Sequence, residues 1–148
     1  EHFKAEDIRP MTHEDLETVA NWDREQAGYD RATVLRHLMR AGPEVACVAG
    51  NRDQPCGFIM GRKGDRNTQL GPLVAQDCAT AHKLLQTAMN TVEGPFYLDA
   101  FSVNQRELAA GISATWTMER TFRRMCLGEA PLCGDSAMHY LAAGPELG

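Results

Sequence analysis

Long hydrophobic runs, an excess of positive charge and low-complexity tracts are all missing from this 148-residue sequence. No apolar stretch approaches the roughly 20 residues that a membrane-spanning helix needs, and the first ten residues lack the apolar region of a signal peptide. The net charge of -5 argues against a general nucleic-acid binder, which normally presents a basic surface. We therefore predict a soluble, cytoplasmic protein with neither nucleic acid nor membrane among its partners.

The cysteines also lack the spacings that mark a metal or redox site. There are five of them, no two form a C-x-x-C pair, and none has a histidine partner at zinc-finger spacing. Cys47 and Cys56 fall in apolar, strand-like stretches, where cysteine behaves as a small hydrophobic residue. The sequence predicts reduced thiols and no metal site.

The sequence has the succession of helical and strand-like segments expected of one α/β domain over residues 1–148. Its length and its 43% of hydrophobic residues suffice for one core, and no repeat or linker divides it. Helices are expected after Thr12, Asp30, Asp77 and Asn104, and strands over residues 5–12, 45–49, 56–62, 68–75, 96–101, 117–125 and 138–142. The order β-α-α-β-β-β-α-β-α-β-β predicts antiparallel strands followed by one parallel β-α-β crossover.

The strand expected over residues 68–75 contains Gly71 and Pro72. Because proline cannot donate a hydrogen bond to its neighbour, Pro72 predicts a bulge or a broken edge in this strand. If this strand separates from its neighbour at Pro72, a slot opens between two strands of the sheet.

Small residues join this strand to the next helix. In QLGPLVAQDCATAHKLL (residues 69–85) Asp77 is expected to be the N-cap, and Ala79 and Ala81 come just after it. A pyrophosphate binds well at such a helix N-terminus because backbone N–H groups face it and small side chains permit close approach. Close packing of the helix against a sheet also explains small residues here, so the spacing alone leaves both interpretations open.

The spacing Gln76-x-x-Ala79-x-Ala81 is similar to the Q/R-x-x-G-x-G/A signature of the GNAT superfamily of acyl-CoA N-acyltransferases, with alanine in place of the first glycine. Further segments resemble, in the same order, the divergent GNAT domain that forms the C-terminal half of bacterial tandem acetyltransferases: GYDRATVLRHL (28–38), GFIMGRKG (57–64), LGPLVAQDCATAHKLL (70–85), YLDAFSVN (97–104) and FRRMCLG (122–128). The resemblance implies a GNAT fold, an α/β fold of the α+β kind. Its mixed, mostly antiparallel sheet would have a central parallel pair of strands splayed around a coenzyme A cleft.

The resemblance also implies acetyl-CoA as the cofactor. Backbone groups of Leu73, Val74 and Ala75 would pair with the pantetheine arm, and Asn104 matches an asparagine that GNAT domains often carry near that arm. The pyrophosphate would lie against the N–H groups of Gln76, Asp77, Cys78, Ala79, Thr80 and Ala81.

The implied reaction is direct attack of a primary amine on the thioester, which needs a base for the amine and an acid for the departing thiolate. Asp99 is the candidate base, because a carboxylate among apolar neighbours can have a raised pKa; a structural ion pair is the alternative. Many GNAT enzymes carry a tyrosine as the acid about seven residues after the asparagine, where this sequence has Gly111. Tyr97 and Tyr140 are the candidate substitutes.

Three functions are open at this point. The first is an N-acetyltransferase acting on an amine of a small molecule or a protein. The second is a CoA-binding regulatory or structural domain without catalysis, and the third is an interaction module that keeps only the fold. Cys78 and His82 are one helical turn apart, but any i, i+4 pair in a helix is close, so a Cys-His catalyst is not favoured. A homodimer formed through the final strands is left open.

Overall fold

The computed structural model of the chain describes residues 8–112, 116–123 and 136–147. Its strands are β1 (Ile8–Pro10), β2 (Cys47–Gly50), β3 (Pro55–Lys63), β4 (Thr68–Ala75), β5 (Phe96–Leu98) and β6 (His139–Leu141). Its helices are α1 (Leu16–Ala27), α2 (Ala32–Ala41), α3 (Cys78–Thr91) and α4 (Gln105–Ala110), with short 3-10 turns at His13–Asp15, Pro43–Val45 and Ser136–Met138.

The strands form one mixed sheet in the order β1-β2-β3-β4-β5, and β6 also pairs with β4. The pairs β1-β2, β2-β3, β3-β4 and β4-β6 are antiparallel, whereas β4 and β5 run parallel. The chain passes from β4 to β5 through α3, which is the connection that a parallel pair requires. The predicted fold class, a mostly antiparallel sheet with one parallel pair, is confirmed.

The first two helices begin and end where the sequence indicated. The carboxylate of Asp15 accepts hydrogen bonds from the backbone N–H of Thr12 at 2.8 Å and from its hydroxyl at 2.9 Å. The first long helix ends at Gly28, whose φ of 78° is readily adopted by glycine. Just before the second helix, the carboxylate of Asp30 accepts from the N–H of Ala32, the first residue of that helix, at 2.8 Å.

Helices cover both faces of the sheet. Helices α3 and α4 pack on one face, in a cluster that includes Leu84, Leu85, Leu108, Ile59, Leu73 and Leu141. Helices α1 and α2 pack on the other face, in a cluster that includes Val19, Leu35, Leu38, Phe58, Met60 and Val74. Neighbouring strand residues such as Leu73 and Val74 fall in different clusters because successive side chains of a strand point to opposite faces.

The strand expected over residues 117–125 is wrong where it can be checked, since residues 117–123 form no strand; residues 124 and 125 lie outside the described part of the chain. Its alternating pattern reflects exposed side chains, Met118 and Phe122 among them, and alternation predicts a strand only where one face is buried. Cys47 and Cys56 are buried, as their apolar surroundings indicated, whereas Cys126 and Cys133 lie outside the described residues.

Candidate functional site

The parallel strands β4 and β5 stay together for only three residues. Thr68, Gln69 and Leu70 pair with Phe96, Tyr97 and Leu98, and the pairing stops there. The next two residues of β4 are Gly71 and Pro72, and the register between β3 and β4 shifts at the same place. The predicted irregularity at Pro72 and the parting of the two strands are therefore present.

The space between the parted strands is filled by β6. On one side Leu141 and His139 pair with Leu73 and Val74 of β4. On the other side the N–H of Phe101 donates to the carbonyl of Tyr140 at 3.1 Å, and the N–H of Ala142 donates to the carbonyl of Asp99 at 2.9 Å. The last strand of the domain thus lies inside the slot that the sequence predicted.

Asn104, the candidate pantetheine ligand, contacts the residues that lead into β6. Its side chain is buried, and the amide nitrogen lies 3.2, 3.0 and 2.8 Å from the carbonyl oxygens of Ser136, Ala137 and His139. A side-chain amide has two donor hydrogens, so three carbonyls exceed its donor capacity. The donor side of Asn104 is committed to the residues that lead into β6.

The start of α3 offers fewer free donors than its sequence indicated. The carboxylate of Asp77 accepts from the N–H of Thr80 at 2.8 Å, which confirms Asp77 as the N-cap. The N–H of Gln76 donates to the carbonyl of Cys56 at 2.9 Å, and the N–H of Ala81 donates to that of Asp77 at 3.0 Å. By helix geometry, the N–H groups of Cys78, Ala79 and Thr80 have no carbonyl partner within the helix. Asp77 satisfies that of Thr80, which leaves those of Cys78 and Ala79.

The two small residues of the motif have different environments. Ala79 is exposed, whereas Ala81 is fully buried against the sheet. Close packing therefore explains Ala81, and it does not explain Ala79. The methyl group of Ala79 faces outward beside the N–H groups that remain for an anion.

His82 joins α3 to α4. Its Nε2 lies 2.9 Å from the carbonyl oxygen of Glu107 and 3.1 Å from that of Leu108. Carbonyl oxygens only accept hydrogen bonds, so Nε2 carries the proton in these contacts. The sulfur of Cys78 lies 3.7 Å from Nε2 and 3.8 Å from Nδ1, so it is directed at neither ring nitrogen alone. Burial raises the pKa of the Cys78 thiol, and the charges of Glu107 and Asp77 raise it further. A thiol held in its protonated form is not an activated nucleophile, which disfavours a Cys-His catalyst.

Gly111 lies at the position where the tyrosine of the family was expected. A Cβ atom built on Gly111 would overlap the imidazole ring of His82. The ring therefore occupies the space through which any side chain at residue 111 would have to leave the backbone. A larger residue here requires the ring of His82 to move away from the carbonyls that it contacts.

The three candidate acid and base residues lie in different environments. Asp99 is half-buried, and burial raises the pKa of its carboxyl group against the opposing effects of Arg120 and of a 3.1 Å hydrogen bond from Gln69. Tyr97 is 42% exposed, and its hydroxyl donates to Glu119 at 3.3 Å. Tyr140 in β6 is buried, and burial is the main cause that raises the pKa of its phenol to about 12.

The described residues contain neither a metal-ligand cluster nor a membrane-spanning helix. Within residues 8–112, 116–123 and 136–147, no three side chains of histidine, cysteine, aspartate or glutamate gather in a way that would hold a metal ion. Over the same described part of the chain, none of the helices is both long enough and apolar enough to cross a membrane.

The fold and the arrangement around α3 are those of an acyltransferase-like α/β domain, and comparison with known proteins agrees. The sequence matches the family model described as "Acetyltransferase (GNAT) domain" over residues 19–140. The chain therefore belongs to the GNAT acetyltransferase family, as the resemblance implied.

Among solved structures, the chain is similar to a mutant of TTHA1254 from Thermus thermophilus, with a TM-score of 0.53 and 19% sequence identity. The match covers 84% of this chain and 99% of that chain, and at this identity it shows the fold alone. No curated protein sequence matches the chain.

The residues around the slot do not fit an acyl-CoA arm in this arrangement. The edge of β4 at Leu73 and Val74 is paired with β6, and the side-chain amide of Asn104 is taken. The carboxylate of Asp77 also places negative charge where phosphates would lie. The assignments of Leu73, Val74, Ala75, Asn104 and residues 76–81 to cofactor binding stay predictions, and sequence patterns alone gave no sign that β6 would fill the slot.

Proposed function

We propose that the chain is an N-acetyltransferase that uses acetyl-CoA to acetylate a primary amine of a small molecule or a protein. One observation carries this proposal beyond family membership: β4 and β5 part after Leu70 and Leu98, and α3 begins immediately beyond the end of β4. A slot between strand edges suits an extended arm with amide groups, and a helix N-terminus at its mouth suits phosphates. The family matched over residues 19–140 supports the same arrangement.

The proposed binding residues are those expected from the sequence. Backbone groups of Leu73, Val74 and Ala75 would hold the arm beside Asn104. The first turn of α3, within residues 76–81, would hold the pyrophosphate, and the exposed position of Ala79 favours this placement.

Asp99 is the proposed base. It lies just beyond the end of β5, where the two parallel strands have parted, and its raised pKa makes the carboxylate a better proton acceptor than an exposed aspartate. Tyr97 lies in β5 itself, but its side chain is exposed and its hydroxyl donates to Glu119, so Tyr97 is less favoured as the acid.

A second candidate function, a CoA-binding domain without catalysis, is favoured by a different observation. The family's tyrosine is absent, and in this arrangement the ring of His82 lies where a side chain at Gly111 would begin. In this case acetyl-CoA would bind and no acetyl group would be transferred. An interaction module that keeps only the fold would not bind acetyl-CoA.

Two measurements separate these candidates. A ligand that binds only the folded chain stabilises it by about 2.7 kcal/mol at a hundredfold excess over Kd, so acetyl-CoA should raise the melting temperature. Release of CoA is then followed with polyamines, amino acids and lysine peptides, with amine-free reactions as the control. Stabilisation without amine-dependent CoA release would support the second candidate. No stabilisation at millimolar acetyl-CoA would overturn the first two candidates together.

The cytoplasmic location and the homodimer remain proposals as well. Fractionation of cells that express the protein tests the first, and sedimentation tests the second.

A further inference from the structure

We propose that residues 136–147, which we call the C-terminal strap, form an autoinhibitory plug: β6 occupies the cofactor slot, and acyl-CoA binds only when the strap leaves it. The proposal rests on the proposed function, because it takes the slot between β4 and β5 as the acyl-CoA site. The structure is then the closed state of the domain.

The strap and an acyl-CoA arm would compete for the same backbone groups. The edge of a strand has one row of N–H and C=O groups, and each N–H can serve one partner strand or ligand. Leu73 and Val74, which the sequence assigns to the arm, are paired with Leu141 and His139 of the strap. An arm cannot pair with this edge of β4 while β6 does.

The opposite wall of the slot is closed by the same strand. The N–H of Ala142 donates to the carbonyl of Asp99 at 2.9 Å, and the N–H of Phe101 donates to the carbonyl of Tyr140 at 3.1 Å. The proposed base is therefore attached to the strap through its own main chain. Removal of the strap would free the backbone of Asp99 at the moment when the slot opens.

Gly71 shows how closely the strap fits the parting point of β4. Its φ of 141° is a conformation that residues with a side chain rarely adopt, and a Cβ there would run into the carbonyl of Ala142. Glycine at residue 71, where β4 and β5 part, thus allows the backbone of the strap to contact the backbone of β4. Tyr140 and Leu141 are buried in the same place, at 3% and 1% exposure.

Polar contacts at both ends hold the strap closed. At its start, the carbonyls of Ser136, Ala137 and His139 all lie within hydrogen-bond distance of the Asn104 amide nitrogen. Near its other end, Glu146 forms an ion pair with Arg62 of β3. Glu146 lies beyond the end of β6, so this outer contact can be weakened without changing the residues that fill the slot.

The closed strap should reduce the apparent affinity for acetyl-CoA in proportion to its population. The apparent Kd equals the intrinsic Kd divided by the fraction of molecules that are open. If about one molecule in a hundred is open, the apparent affinity is about a hundredfold weaker than that of an open slot. Variants that raise the fraction of open molecules should therefore tighten acetyl-CoA binding, and variants that lower it should weaken binding.

The first test locks the strap with a disulfide. Ala100 and Leu141 face each other across an isolated antiparallel bridge, flanked on both sides by the hydrogen bonds of Phe101 and Ala142. Such a non-hydrogen-bonded pair has Cα atoms about 4.5 Å apart, which lies within the range of a disulfide. We expect the double variant Ala100→Cys/Leu141→Cys to bind acetyl-CoA when reduced and to lose at least tenfold in affinity when oxidised.

The reduced and oxidised forms of one protein share every substitution, so their difference isolates the cross-link. Ala100→Cys alone, treated with the same oxidant, controls for oxidation of the native thiols. Equal affinity of the two forms of the double variant would overturn the strap proposal and would leave the proposed function standing.

The second test weakens the outer contact. Glu146→Gln removes the ion pair with Arg62, and Glu14→Gln removes an ion pair with Arg52 on the exposed surface near α1, so both variants lose one carboxylate. A surface pair contributes little, so we expect Glu146→Gln to tighten acetyl-CoA binding by about two- to fivefold and Glu14→Gln to leave it unchanged. Weaker binding by Glu146→Gln would contradict the proposal.

Hydrogen exchange gives a third and independent readout on the unmodified protein. Ligands usually slow exchange near their site, but here saturation with acetyl-CoA should speed exchange of the N–H groups of Phe101 and Ala142, which are bonded in the closed state. Slower or unchanged exchange of both groups in a protein that binds acetyl-CoA would overturn the strap proposal alone. Failure of the wild type, of Glu146→Gln and of the reduced double variant to bind acetyl-CoA would overturn the proposed function with it.

Discussion

Gly111 lies against the imidazole ring of His82 so closely that a Cβ on residue 111 would overlap the ring. The φ of Gly111 is -91°, which any residue can adopt, so the restriction is steric and not conformational. To admit a Cβ, the ring must move away from the carbonyls of Glu107 and Leu108, and a lost hydrogen bond costs about 0.5–1.5 kcal/mol. We therefore expect Gly111→Ala, and more strongly Gly111→Tyr, to lower the free energy of unfolding by at least that amount in urea titrations.

Ala110→Tyr is the matched control, because Ala110 is exposed at the end of α4 and the same side chain there should change stability by less than about 0.5 kcal/mol. His82→Ala should relieve the overlap, so the double variant His82→Ala/Gly111→Ala should lose less than the sum of its single variants. A Gly111→Tyr protein that is as stable as wild type would refute the steric explanation.

The fold was largely predictable from the sequence, and the reasons are local. Asp77 caps α3 and Gly28 ends α1 because these residues satisfy free backbone groups or adopt positive φ, whatever surrounds them. Pro72 likewise predicted the place where β4 loses its regular pairing. Such signals reside within a few residues of the feature that they determine.

The state of the candidate site was not predictable in the same way. Nothing near His139 to Leu141 in the sequence says that this strand pairs with β4, more than sixty residues earlier, because pairing across a sheet depends on the whole arrangement of strands. The contact between His82 and Gly111 likewise joins two helices whose relative position no periodicity gives. Family resemblance located the slot, and only the structure shows what fills it.

Ala79 and Ala81 provide a paired test of the phosphate site. Ala79 is exposed and Ala81 is fully buried. Ala79→Glu should leave the melting temperature almost unchanged, since acidic residues suit the first turn of a helix, and should weaken acetyl-CoA binding at least tenfold, or about 1.4 kcal/mol. Ala81→Glu buries a carboxylate against the sheet and should unfold or strongly destabilise the domain.

Ala79→Gln controls for bulk, because it adds a side chain of similar size without charge. Its affinity for acetyl-CoA in calorimetric titrations should lie between those of wild type and Ala79→Glu. Wild-type affinity of a folded Ala79→Glu protein would show that the phosphates bind elsewhere.

Asp77 has two effects that a substitution can separate. Its carboxylate caps the N–H of Thr80, which stabilises α3, and its charge repels an anion at the same helix end. Asp77→Ser keeps a capping oxygen and removes the charge, so we expect almost unchanged stability and tighter acetyl-CoA binding. Asp77→Ala removes both and should cost about 1 kcal/mol of stability. Weaker binding by Asp77→Ser would mean that the carboxylate contacts the cofactor favourably.

Asp99 should control turnover more than cofactor binding. A base must be ionised, so acetyl transfer should fall as the pH drops through the raised pKa of Asp99. Asp99→Asn should lower kcat by about 10²- to 10⁴-fold, the usual contribution of a general base, with little change in acetyl-CoA affinity. Gln69→Leu removes the hydrogen bond that favours the ionised form and should shift the acidic limb of the rate profile to higher pH.

The stability of Asp99→Asn provides a separate readout. Because the folded state raises the pKa of Asp99, this group favours folding below its unfolded pKa, and that contribution is lost as the pH rises through the folded pKa. At pH 7 the ionised carboxylate is the less favourable form for the folded state, so Asp99→Asn should be at least as stable as wild type there. Unchanged turnover in a stable Asp99→Asn protein would assign Asp99 a structural role.

Asp15 should make the domain sensitive to acid. The guanidinium of Arg9 donates two hydrogen bonds to its carboxylate at 2.6 and 2.7 Å, and Thr12 donates two more. These bonds, that of Arg9 foremost, hold the pKa of Asp15 well below its ordinary value despite its burial. Its stabilising contribution is therefore complete above the unfolded pKa of about 3.9 and is lost as the pH falls toward the lower folded pKa.

Asp15→Asn should lower the free energy of unfolding at pH 7 by about 1.5–3 kcal/mol, the range for hydrogen bonds to charged groups. The difference from wild type should shrink as the pH falls below about 4, because wild type then loses the same contribution. Glu14→Gln is the control: its ion pair with Arg52 is exposed on both sides, so its loss should cost less than about 1 kcal/mol. Urea titrations at pH 7, 5 and 3.5 measure both variants. A loss in Asp15→Asn that stays the same at all three pH values would show that the shape of the side chain, and not its charge, anchors the start of α1 to β1.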